Sequence, residues 1–135
     1  MENIVPFRRF VVSMSSYYDK VGASTIRAVV DRFYTVVLDD AELKPYFSGV
    51  DMARLKRHMV MLLCSVLGGP EVYEGHDLGD AHRGMGVTGE HYERVGHILV
   101  TVLREDFGAD DDLVAHVATV LGQVRGSIVE VGAAG

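Results

Sequence analysis

Six histidines in a chain of 135 residues are the side chains here best suited to chemistry, since a neutral imidazole can ligate a metal and a protonated one can donate a proton. Their spacing decides which chemistry is open. There is no His-Glu-x-x-His pair and only one cysteine, Cys64, so a zinc site built from protein side chains alone lacks its usual framework. His91 and His97 are six apart and share no helix face, His76 lies among glycines, and His116 is one residue off an apolar stripe. His58 and His82 are more informative. His82 falls in a short, turn-rich segment from which a side chain can project into a cleft, although spacing alone equally allows an ordinary loop histidine. His58 lies on a helical stretch whose apolar residues Met52, Leu55, Met59, Leu62, Leu63 and Val66 fill an arc of roughly 100°, and it stands about 90° from the centre of that arc. It can point to solvent or swing inward.

The elements that must position these side chains are helices. Ile26, Val29, Val30, Phe33, Tyr34 and Val37 recur at three- and four-residue spacing after Ser24, a candidate N-cap, and the run stops at Asp39-Asp40. A second helix is predicted from Asp51, whose carboxylate can cap the first free N–H groups, to Gly68-Gly69-Pro70. Between Gly69 and Thr88 the periodicity lapses into glycines and polar residues, with room for a short helix around Asp77 to Arg83. It returns after Thr88 with Tyr92, Val95, Leu99, Val102 and Leu103, and after Asp110 with Leu113, Val117, Val120, Leu121, Val124 and Ile128. No segment alternates with period two for long enough to suggest a sheet, so the fold class is all-α.

Composition narrows the function classes. At 135 residues, 48% hydrophobic and 24% charged, one domain with one core is expected. Nineteen acidic against thirteen basic residues give a formal charge of -6, which repels phosphate backbones and anionic lipid heads and argues against nucleic acid as a partner. No window approaches the roughly 18 uninterrupted apolar residues of a membrane span. The N-terminal stretch around Phe7-Arg8-Arg9-Phe10 lacks the length and cleavage site of a signal segment. A lone thiol suits a reducing compartment, and a soluble cytoplasmic protein is the default expectation. Residues 1–15 read as an extension, 16–131 as the domain and 132–135 as a tail.

The motifs taken in order resemble the group I truncated haemoglobins, small globins with a two-on-two helical sandwich around haem. The resemblance rests on SYYDKVG, DRFYTVVLDD, PYFSGVDMARLKRHM, LGGPEVYEG and AHRGMGVTGEHY, and it runs from about Tyr17 to Ile128. It implies haem b (iron protoporphyrin IX) as cofactor and makes His82 the proximal iron ligand. It places Phe47 on the haem face and gives Tyr34 the distal hydroxyl that donates to a bound ligand; spacing alone equally allows Tyr34 to be a core residue. Met52, Leu55, Met59 and Leu63 would then line the distal side, and Val87, Tyr92 and Val95 the proximal side. Arg54, Lys56 or Arg57 would pair with the propionates. His58 matches the position from which some cyanobacterial members supply a second histidine to iron. Cys64 lies on the opposite side of its helix from the haem-facing arc. The chain departs from the family pattern at Gly22-Ala23, where a glycine pair is usual, and on the distal helix, where Leu55 and Met59 stand in place of a glutamine and offer no N–H.

The expected function is binding of dioxygen and other diatomic ligands, nitric oxide and carbon monoxide included. Dioxygenation of nitric oxide to nitrate would need an external electron-donating reductase, because no flavin- or nicotinamide-binding pattern is present. Two alternatives belong to other classes: a bis-histidyl redox or gas-sensing haem module using His58, and a cofactor-free helical interaction domain.

Overall fold

A computed structural model describes residues 17–69, 82 and 84–130, whose regular structure is all helical, with no strand among the described residues. Four α-helices carry the architecture: α1 (Ala23–Asp39), α2 (Met52–Val66), α3 (Gly89–Thr101) and α4 (Asp111–Ile128). A 3₁₀ turn, Lys44–Phe47, joins α1 to α2, and a π-helical turn, Val102–Asp106, prolongs α3. α1 packs on α2, α3 packs on α4, and α1 also contacts α3, which gives two helical pairs laid on one another.

α1 shows why the stack holds. Ile26, Val29, Val30, Phe33, Tyr34 and Val37, the residues of the predicted apolar face, are all buried. Each side chain removed from water in this way contributes about 1.5–3 kcal/mol. The start of the helix differs from the sequence expectation. Its N-cap is Gly22, not Ser24, which is exposed inside the first turn. Residues 17–21 are already helical, the Gly22 amide bonds the Tyr18 carbonyl at 2.8 Å, and the Gly22 carbonyl accepts from Ile26 at 3.0 Å. Both backbone groups of Gly22 are thus bonded, and no side chain caps this helix start.

The other caps fall where side-chain chemistry places them. Asp51 accepts from the Arg54 amide at 3.2 Å, Thr88 from the His91 amide at 3.0 Å and Asp110 from the Leu113 amide at 2.9 Å. α2 ends in a Schellman turn. The Gly69 amide reaches back to the Cys64 carbonyl at 2.7 Å and the Gly68 amide to Ser65 at 3.1 Å, with Gly68 at φ 87°, a conformation that a side chain disfavours. The extension of α3 is π-helical and is closed by the Ala109 amide on the Leu103 carbonyl at 2.9 Å. Periodicity does not foresee this turn, because the apolar residues Val102 and Leu103 stay buried in either helix type. The short helix expected around Asp77 to Arg83 lies outside the described residues apart from His82, which is helical.

Candidate functional site

Two apolar clusters form the interior. The larger is built on α1 and includes Phe33, Tyr34, Leu43, Leu63, Leu99 and Leu103. The smaller gathers Val87, Tyr92 and Ile128, with Met85, Leu62, Val124 and Val129 packed against it. Tyr46 and Leu121 touch both, so the clusters meet without merging.

On the side of the larger cluster, the Tyr34 ring is buried and held edge-on by two neighbours. Its centroid lies 4.9 Å from Phe33 and 5.9 Å from Phe47, with interplanar angles of 71° and 80°. α2 lies across this cluster, and its apolar face is covered unevenly: Leu63 is buried, whereas Met52, Leu55, Met59, Val60 and Leu62 are only half-buried. Arg54, Arg57 and His58 are exposed along the same helix, and Lys56 pairs with Asp31 of α1 at 3.2 Å. Cys64 is buried in the α1 cluster, the same cluster that Leu63 joins.

On the side of the smaller cluster, His82 is half-buried and its carbonyl accepts from the Met85 amide at 3.2 Å, which turns the chain directly after it. Met85 and Val87 then enter the cluster. Tyr92 is buried on α3 with its hydroxyl donating to the Leu121 carbonyl at 2.5 Å; loss of hydration raises the pKa of that phenol and keeps it a donor, while Val95 of the same helix is half-buried against the larger cluster. The predicted residues fall into two groups, and Val95 packs with the larger cluster rather than with the proximal residues among which the resemblance put it. Tyr34, Phe47, Met52, Leu55, Met59 and Leu63 belong with one cluster, while Val87 and Tyr92 belong with the other, close in the chain to His82.

A polar network borders both clusters. The Arg94 guanidinium bonds Asp40 at 3.0 Å, with Glu42 at 3.5 Å and Glu90 at 3.9 Å. That hydrogen bond holds the Asp40 carboxyl below the usual carboxylate range and raises Arg94 in turn. His91 ties the network to Tyr46, with Nε2 3.1 Å from the Glu42 carboxylate and Nδ1 2.6 Å from the Tyr46 hydroxyl. Next to this network lies a cleft of about 270 Å³ lined by Glu42, Pro45, Tyr46 and Met85.

Sequence reasoning passed over two of these residues. His91 is assigned no role there, yet it is tied to Tyr46 and Glu42 from 45 and 49 positions away. Glu130 is the other. Its carboxylate accepts from the Gly84 amide at 2.9 Å and the Gly86 amide at 2.7 Å, and its own amide donates to the Val87 carbonyl at 2.9 Å. Two other described histidines are structural or solvated. His116 Nε2 donates to the Val66 carbonyl at 2.7 Å and its ring stacks on Tyr17, and His97 is exposed near Thr101. Among the described residues no group of three His, Cys, Asp or Glu side chains could hold a metal ion by itself, and no helix is long and apolar enough to cross a membrane.

The arrangement offers one imidazole, one buried phenol and half-covered apolar walls, a donor set suited to a flat apolar group that brings its own metal. Comparisons with known proteins agree. The sequence pattern of the family described as bacterial-like globin matches residues 16–129. The Group 1 truncated hemoglobin GlbN of Synechocystis sp. is 38% identical over 114 residues, 81% of this chain and 91% of the relative. Its counterpart from Mycolicibacterium paratuberculosis is 36% identical over 73% of this chain and 72% of the relative. Among solved structures, the 2/2 hemoglobin from Synechococcus sp., in the cyanomet state with covalently attached heme, superposes with a TM-score of 0.76 at 28% identity and covers 84% of this chain and 97% of that one. The Fe(III) form of truncated hemoglobin from Tetrahymena pyriformis superposes at 0.75 and 29% identity with the same coverage.

Proposed function

This chain belongs to the bacterial-like globin family, whose members hold haem b and bind diatomic gases, and from that premise we propose that His82 is the proximal iron ligand, Tyr34 the distal donor, and nitric oxide dioxygenation the activity. Haem, when bound, supplies the coordination position and the electron chemistry. The chain supplies everything that shapes them.

The smaller cluster seats one face of the group. Val87 and Tyr92 give it apolar contact, and the Tyr92 hydroxyl, already engaged with Leu121, puts no polar atom into that wall. Leu55, Met59 and Leu63 face the other side with Phe47 packed across it, and their partial coverage leaves an apolar wall that a porphyrin completes. Arg54, Lys56 and Arg57 lie on the same helix for the propionates, Arg54 and Arg57 with exposed side chains that can reach the edge.

The observation that carries this reading is the buried Tyr34 ring, wedged between Phe33 and Phe47 in a wall whose other members are apolar. With haem in place, the phenol O–H of Tyr34 would donate to a ligand of partial negative charge held on this side. Leu55 and Met59 cannot add a second bond, so Tyr34 carries the task alone among these positions. Each turnover joins one dioxygen and one nitric oxide into one nitrate and consumes one electron, which an external reductase supplies.

The test is spectroscopic and chemical. Purified protein with haem should show a Soret band that shifts with carbon monoxide, and its oxygenated form mixed with nitric oxide should give one nitrate per haem. Protein that takes up no haemin, or a Soret band unaltered in His82→Leu, overturns the assignment; ligand binding without nitrate formation limits the protein to gas binding.

A further inference from the structure

We propose that Glu130 is a positioning residue for the proximal imidazole, acting through the glycine segment that follows His82; this rests on the reading of His82 as the proximal ligand. Met85 and Val87 of this segment are held by packing in the smaller cluster, but its two glycines are not. Gly84 and Gly86 have φ of 83° and 68°, and a Cβ built on either meets nothing within 4 Å, so side-chain packing does not define the path there. What does is a carboxylate. Its two oxygens take the two glycine amides, one each, at 2.9 and 2.7 Å, in charge-assisted bonds stronger than neutral ones.

The backbone of the same residue completes the brace. The Glu130 amide donates to Val87 at 2.9 Å, directly after the glycines, so three bonds fasten residues 84–87 to the end of α4. The end of α4 is itself anchored, since Ile128 is buried with Val87 and Tyr92. Between the brace and the imidazole there is one further link, the Met85 amide on the His82 carbonyl at 3.2 Å. Any shift of the glycine pair therefore moves the turn from which the His82 side chain springs. Partners that orient a metal ligand from the next layer out commonly alter metal affinity by 10–100-fold, and Glu130 acts in this way through backbone rather than through the ring nitrogen.

A merely structural staple would secure the C-terminal end of α4 and leave the iron–imidazole bond alone. The test compares haem-loaded parent, Glu130→Ala, Glu130→Gln and His82→Leu proteins. The readouts are the iron–histidine stretching band of the deoxy ferrous form, the rate of haemin loss to a haem-scavenging protein, and amide exchange at Gly84 and Gly86. In Glu130→Ala both amides should exchange faster, the stretching band should move and broaden, and haemin should leave on the order of tenfold faster. Glu130→Gln keeps one acceptor oxygen and should fall between. An unmoved band and haemin rate despite faster amide exchange overturn the proposal, as does unaltered exchange. His82→Leu separates the two readings: if it retains the stretching band, the ligand assignment itself fails, whereas if it loses the band while both Glu130 variants match the parent, only the role of Glu130 fails.

Discussion

The ring of Tyr34 stands edge-on to that of Phe47, with centroids 5.9 Å apart and planes at 80°. Phe33 grips the same ring from its own helix at 4.9 Å, so the direction of the Tyr34 hydroxyl is set by two aromatic neighbours before any ligand arrives. That hydroxyl can offer a hydrogen bond to a ligand held on that side. Tyr34→Phe removes one such bond and little volume, at a cost of about 1 kcal/mol to the bound ligand. Dioxygen should therefore dissociate several-fold faster from the variant, as measured by stopped-flow displacement with carbon monoxide, while the ferrous Soret band keeps its position.

His58 is exposed and lies on the flank of α2, away from the apolar arc that meets the α1 cluster. Ligation from there requires the side chain to leave water and cross that arc. The deoxy ferrous protein is accordingly expected to be five-coordinate and high-spin, and His58→Leu should leave its spectrum and its carbon monoxide association rate alone. A six-coordinate low-spin spectrum abolished by His58→Leu gives the opposite result and the bis-histidyl redox reading with it.

Asp40 has its folded pKa lowered, first by the Arg94 hydrogen bond. Its contribution to stability is therefore present above the pKa of the unfolded chain and is lost as pH falls through the lower, folded value. Asp40→Asn should flatten the acid limb of the stability curve just below the usual carboxylate range and leave the slope near neutrality alone. Denaturant titrations across that limb check this, and the difference between the two proteins should shrink in high salt because the pair is solvent-accessible.

Gly69 closes the end of α2 in a space that admits no side chain. A Cβ there comes to 2.7 Å from the Tyr18 ring and 2.9 Å from the Cys64 carbonyl. Neither is the far end of a flexible chain. Gly69→Ala should destabilise the protein by about 1–3 kcal/mol, the range for overpacking, and lower its thermal midpoint.

Much of this architecture is legible from residue order because it depends on local chemistry. The stripe from Ile26 to Val37 and the caps at Asp51 and Thr88 are matters of spacing within one helix, and they appear where periodicity and hydrogen-bonding side chains put them. Gly22 shows the limit: its role as a cap follows from a preceding helical turn that spacing within α1 does not reveal. His91 and Glu130 escape a linear reading for a different reason. A histidine with one polar neighbour in sequence looks solvated, and only the fold brings Tyr46 and Glu42 to its two nitrogens. Glu130 sits 44 and 46 positions from its amide partners, beyond the last apolar residue of α4, where a single acidic residue carries no pattern at all.

That long reach also has a temporal side. On a ribosome the Gly84 and Gly86 amides emerge well before the carboxylate that binds them, which is made more than forty residues later. The nascent chain can wind its first three helices early, but the loop beside His82 gains its carboxylate partner only after residue 130 has cleared the exit tunnel. Cofactor loading in the finished geometry is thereby deferred until that residue is free to fold back onto the glycines.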